Sequence, residues 1–130
     1  MKNGFTVSAV VPANASDIYN AWLSSEGHAA MTGNPAKMDG KVGGEFTAWD
    51  GYIFGSTLAL EPDQRILQRW RTSEFPDDAP DSRLEISFEE VGEGTKITLI
   101  HSDLPADQVD SYRQGWEDFY FKPMKAYFST

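Results

Sequence analysis

His28 and His101 are the only imidazoles in the chain, and there is no cysteine. His101 stands two residues before Asp103, a carboxylate that can hold one ring nitrogen and leave the other to act as a general base. A histidine with both nitrogens satisfied accounts for the same pattern, because no nearby residue is one it would deprotonate. His28 has no such neighbour. The two histidines lack i, i+4 spacing and no paired-carboxylate motif accompanies them, so no metal site is expected. The serines fall in turn-like or strand contexts without a nucleophile elbow, and no catalytic residue is assigned. Gly40, Gly43, Gly44, Gly51 and Gly55 lack the Walker spacing with its Lys-Ser/Thr ending, so they read as turns and bulges, and no cofactor is expected.

The stronger chemical signal is aromatic. Trp49, Phe54, Trp70, Phe88, Tyr112, Trp116 and Tyr120 are large enough to line a cavity for a small hydrophobic molecule or lipid. The tryptophans and tyrosines add polar atoms that orient a ligand. The same side chains can equally fill a core, and without a placed polar cluster both readings stand.

These residues need elements to hold them. Phe5, Val7, Ala9 and Val11 alternate with Thr6 and Ser8 as in a half-buried strand that Pro12 ends. Asn14 or Ser16 caps a helix carrying Ile18, Tyr19, Trp22 and Leu23 on one stripe, and a second short helix follows from Ser25 to about Met31. From Gly43 to Ser102 short alternating runs separated by turn residues predict antiparallel hairpins. Glu45 to Trp49 turns at Asp50-Gly51 into Tyr52 to Leu60. Glu61-Pro62-Asp63-Gln64 leads into Ile66 to Thr72. Phe75 to Asp81 reads as a mobile loop, Leu84, Ile86 and Phe88 face inward, and the last strand places Ile97 and Leu99 on one face and Thr98 and Ile100 on the other. Val109, Tyr112, Trp116, Phe119, Tyr120, Met124 and Tyr127 mark a long amphipathic helix. Asp103 or Asp107 is placed to cap it, and Pro123 predicts a kink or break about one turn earlier. A sheet that curls around this helix leaves a gap between the two as the candidate site, entered near the loops 33–39 and 75–81.

The chain has 130 residues, the size of one domain spanning 1–130. The missing cysteines fit a reducing compartment, and Met-Lys-Asn-Gly-Phe lacks the apolar run of a signal peptide, so a cytoplasmic protein without membrane insertion is expected. Eleven basic against twenty acidic side chains give a net charge of -9, which repels phosphate backbones and argues against nucleic acid. Residues 74–93 hold eight carboxylates against Arg83 alone, either a solvated hairpin face or an acidic docking patch.

Pro12-Ala13 before a helix ending Ala21-Trp22, then Gly43-Gly44-Glu45-Phe46, Gly51, Gly55, Trp70-Arg71, Thr95-Lys96-Ile97-Thr98-Leu99 with His101, and Gly115-Trp116 follow one another in a specific order. That order resembles the family named for homology to the activator of the heat-shock protein 90 ATPase, within the START-like, birch-pollen-allergen-like superfamily. The resemblance implies an α+β helix-grip fold: a curved antiparallel sheet wrapped around a long C-terminal helix, with two short helices after the first strand. It implies a cavity scaffold used for lipid or hormone binding, polyketide cyclisation or co-chaperone contact. Three functions follow as expectations. The first is a non-catalytic module binding a small hydrophobic molecule or lipid. The second is a stress protein contacting a heat-shock protein 90 type chaperone, and the resemblance implies only part of the contact surface, since it does not extend to the separate N-terminal domain of the eukaryotic activator. The third is a cyclase- or hydrolase-like enzyme using Tyr112, Tyr120 or His101 as acid or base.

Overall fold

The computed structural model describes residues 3–129, and the reading of Met1 and Lys2 as part of a leaderless N-terminus lies outside them. Seven strands form one antiparallel sheet in the order β1-β7-β6-β5-β4-β3-β2. They are β1 (Phe5–Val11), β2 (Lys37–Met38), β3 (Glu45–Ala48), β4 (Ile53–Glu61), β5 (Arg65–Thr72), β6 (Ser82–Val91) and β7 (Gly94–Ser102). Period-two alternation becomes a buried face only if neighbouring strands agree in register, and here they do. One row runs from Phe5 through His101, Leu84 and Gln68 to Thr57, so five strands present the same face to the core. Leu84, Ile86, Ile97 and Leu99 are completely buried there, while Ile100 faces outward. The buried Gln68 amide donates to Thr57 Oγ1 at 3.4 Å, which satisfies part of a polar pair inside an apolar layer.

The sheet bends where two strands approach closely. A Cβ at Gly55 would lie 1.9 Å from the Arg69 carbonyl oxygen, so only glycine fits, and a register shift between Thr57 and Ala59 adds a bulge two residues on. The β3–β4 turn is centred on the expected Asp50-Gly51 pair, closed by the Tyr52 N–H on the Trp49 carbonyl at 3.2 Å, and its left-handed stretch extends back to Trp49. Trp49, Asp50 and Gly51 all adopt left-handed backbone (φ 54°, 56° and 88°), and the Asp50 N–H bonds the Pro35 carbonyl at 3.1 Å. β3 therefore ends at Ala48, and Trp49 belongs to the turn.

Two helices follow β1: α1 (Ala15–Leu23) and α2 (Ser25–Thr32). Asn14 caps α1 by accepting the Asp17 N–H at 2.8 Å, and Ser24 caps α2 by accepting the Gly27 N–H at 3.1 Å. A second acceptor reaches α1 from the sheet, since Glu90 Oε2 takes the Ala15 N–H at 3.0 Å.

The C-terminal helix is built in parts: a 3-10 turn (Ala106–Gln108), α3 (Val109–Trp116), a π-helical turn (Glu117–Phe121) and α4 (Lys122–Phe128). Neither Asp103 nor Asp107 caps it. The first turn starts from Pro105 without a side-chain cap, and Asp103 instead takes φ 64° as the chain leaves β7. The disturbance expected ahead of Pro123 is the π turn, in which the Lys122 N–H reaches back to the Glu117 carbonyl. The wider turn lets two consecutive residues, Tyr120 and Phe121, both point inward, whereas Phe119 and Tyr127 of the expected stripe are exposed.

The loop 75–81, expected to be mobile, is tied down by one guanidinium. Arg71 donates to the Pro76 and Ala79 carbonyls and to Asp81 Oδ1 at 2.8–3.1 Å, and Phe75 is buried beneath. Among the described residues no helix is long and apolar enough to cross a membrane, and no group of three or more potential ligands is gathered to hold a metal ion.

Candidate functional site

A cavity of about 180 Å³ lies between the C-terminal helix and the β3–β4 end of the sheet. The helix contributes Ser111, Tyr112, Gly115, Trp116, Phe119 and Tyr120; the sheet side contributes Trp49, Tyr52, Ile53 and Trp70. The helix positions fall in two adjacent rows at i, i+4, i+8. Tyr112, Trp116 and Tyr120 form the buried row, and Ser111, Gly115 and Phe119 form the rim, with Ser111 and Phe119 exposed.

Five of the seven residues expected at the site are brought together here: Trp49, Trp70, Tyr112, Trp116 and Tyr120. Phe54 is a correction. Ile53 is buried, so strand alternation turns Phe54 to the outer face, where it is 36% exposed. Phe88 is also placed elsewhere, packing edge-on against Tyr19 of α1 with ring centroids 5.9 Å apart. The expected entrance near the loops 33–39 and 75–81 is corrected too. No residue of either loop lines the cavity, because Phe75 packs against Trp70 and Tyr112 and closes that side. Sequence reasoning missed Tyr52, Ile53, Ser111, Gly115 and Phe119; the last three carry a readable signal, the helical row one position before the aromatic stripe.

Behind the cavity the aromatic rings form a continuous pack. Trp116 lies 5.7 Å from Trp70 and 4.7 Å from Tyr120, and Trp22 of α1 stacks on Trp116 at 6.2 Å. The polar atoms of these rings are used internally. Trp116 Nε1–H donates to His101 Nδ1 at 3.1 Å, which leaves His101 Nε2–H to donate to Ser82 Oγ at 2.9 Å, and Ser82 in turn donates to the Trp70 carbonyl at 2.6 Å. Asp103 takes no part, so of the two readings of His101 the structure bears out the satisfied structural histidine rather than a base held by that carboxylate. Burial lowers its pKa to about 3.

His28, which sequence gave little weight, is the hydrogen-bond partner of Tyr120. Its Nδ1–H donates to the Trp22 carbonyl at 2.9 Å, so Nε2 accepts the Tyr120 hydroxyl at 2.7 Å. Burial lowers the His28 pKa to about 4 against the opposing pull of that carbonyl, and burial raises the Tyr120 phenol far above its ordinary value. Tyr112 donates to Gln108 Oε1 at 2.6 Å and accepts from Thr72 Oγ1 at 2.7 Å, and Tyr52 donates to Glu74. Burial raises both of those phenols as well. The cavity thus has neutral walls with their hydroxyl protons already committed. The buried indole N–H of Trp49 has no hydrogen-bond partner among the described residues.

Residues 12–129 match the family model described as Activator of Hsp90 ATPase homolog 1-like protein. The human Activator of 90 kDa heat shock protein ATPase homolog 1 is 27% identical over 112 residues, covering 86% of this chain and 33% of its own. The chain therefore spans about a third of the length of that relative. Among solved structures, an HSP90 activator from Plasmodium falciparum superposes with a TM-score of 0.84 at 21% identity, covering 97% of this chain and 94% of that one. The Aha1 dimer from Colwellia psychrerythraea gives 0.80 at 17% identity, with 98% and 96% covered.

Proposed function

Since this chain belongs to the family of Activator of Hsp90 ATPase homolog 1-like proteins, we propose that it is a START-like binding module holding a small apolar molecule between the sheet and the C-terminal helix. The observation that carries this reading is the aromatic cavity, whose lining includes no charged residue and whose tyrosine hydroxyls all donate to groups of the protein itself. Such walls reward the removal of apolar surface from water, at about 25 cal/mol per Å², and offer a polar substrate little beyond the Trp49 indole N–H. They also argue against acid–base catalysis here, because both imidazoles have their nitrogens occupied and stay neutral near pH 7.

Native mass spectrometry of the purified protein with a lipid and metabolite extract of its host tests this, backed by amide shift mapping. The expected result is a one-to-one adduct whose shifts cluster on Trp70, Trp116 and Tyr120. An extract that yields no adduct overturns the reading.

The names of the relatives favour a second reading, contact with a heat-shock protein 90 type chaperone in a cytoplasmic stress role. Its test is the ATPase rate of such a chaperone at saturating concentrations of this protein. A rate that does not change removes activation.

A further inference from the structure

We infer that Gly115 is the doorway and size filter of the aromatic cavity, and that the cavity takes an uncharged single-ring aromatic molecule whose polar substituent stays at the rim. This rests on the ligand-binding reading above and narrows it to one class.

Glycine is among the poorest residues for a helix interior, so its presence in α3 calls for a reason. The backbone supplies none. Gly115 is helical with no positive φ, and a Cβ built on it meets only Phe119 Cδ2 at 3.8 Å, an ordinary contact. Gly27 and Gly55 differ, because a Cβ there would run into backbone atoms at 2.7 and 1.9 Å. What the missing side chain leaves at position 115 is space. That space lies midway along the rim row, between exposed Ser111 and exposed Phe119, and opens on the cavity they share.

Volume sets the size class. An apolar cavity of about 150 Å³ holds benzene, so about 180 Å³ holds one substituted ring and excludes most of a fatty acyl chain. Chemistry sets the polarity. A charge carried inside would meet no counter-charge, and an anion would also approach a chain of net charge -9. The exposed Ser111 hydroxyl at the rim is where a hydroxyl or amide substituent finds a partner and water.

The test uses p-cresol and dodecanoate as probes, read by amide shift titration on the wild type and on Gly115→Leu and Gly115→Ala. Wild type is expected to bind p-cresol, with shifts on Trp70, Gly115 and Trp116, and to bind dodecanoate at least tenfold more weakly. Gly115→Leu is expected to keep the fold and lose p-cresol affinity by tenfold or more. Gly115→Ala, which a helix accommodates readily, is expected to melt no lower than wild type and to bind two- to threefold more weakly. Undiminished p-cresol affinity in both variants overturns the doorway. Preference for dodecanoate overturns the size class while leaving the ligand-binding reading intact. Binding of neither probe by wild type overturns the inference, and the host-extract experiment then decides separately whether any ligand is held.

Discussion

Two buried histidines make the stability of this protein a function of pH, and the sign follows from their partners. Folded, His28 and His101 are held neutral down to about pH 4 and about pH 3, whereas in the unfolded chain they protonate near the ordinary value of 6.5. Stability is therefore fully present above about pH 6.5 and is lost as the pH falls from there toward the folded values. Each histidine contributes a slope of up to about 1.4 kcal/mol per pH unit in that window. Urea midpoints measured from about pH 7.5 to about pH 5 are expected to fall steadily. A His28→Gln variant should be less stable at neutral pH, because Tyr120 loses its acceptor geometry, and yet show about half the wild-type slope. A flat profile across that interval contradicts the assignment of both imidazoles as neutral. Composition already identified the histidines as the only titrating imidazoles, but not their partners. His28 and Tyr120 are 92 positions apart, and no local pattern links a residue of α2 to the π turn that presents Tyr120.

At the scale of elements, the acidic hairpin illustrates how a charge run divides between solvent and structure. Of its eight carboxylates, Glu74, Asp81, Glu85 and Glu90 are engaged by Tyr52, Arg71, Arg65 and the start of α1 respectively. The reading of this run as merely solvated or docking surface missed that work. Glu90 brings a negative charge to the positive end of the α1 dipole and bonds a free helical N–H. Glu90→Ala is expected to cost about 1 kcal/mol in chemical denaturation, with Glu90→Gln recovering part of it by keeping an acceptor. Wild-type stability in the alanine variant would show that water replaces the carboxylate without loss. Strands and short helices were legible because alternation, caps and turn residues act over a few positions. The Phe54 error and the missed Phe121 share a cause: a turn that absorbs Trp49 and a π turn that adds a residue each reset which side chains face inward, and each is decided by packing from distant parts of the chain. The cavity was legible only as a set of aromatics. Its rim depends on which helix row the sheet leaves uncovered, and sequence does not fix that.

For the molecule as a whole, net charge competes with local pairing. Six ion pairs are formed among the described residues, five with at least one exposed partner and the Arg65–Glu85 pair half-buried on both sides, and exposed pairs contribute about 0–1 kcal/mol each. Against them stands the repulsion of a formal net charge of -9 confined to one compact chain. Raising ionic strength from about 0.01 M to about 0.15 M shortens the Debye length from about 30 Å to about 8 Å. That change screens repulsion spread over the whole surface more than it weakens pairs in contact. The melting temperature is therefore expected to rise with salt in this range, and a fall would mean that the ion pairs dominate. The same titration separates the two functional readings. Affinity for an uncharged ring in a cavity lined by no charged residue should stay constant as salt rises, whereas coupling to a chaperone through so acidic a surface should weaken with it. A ligand affinity that stays constant with salt supports binding among the uncharged cavity walls, whereas one that falls with salt would mean that a charged side chain outside that lining takes part in holding the ligand.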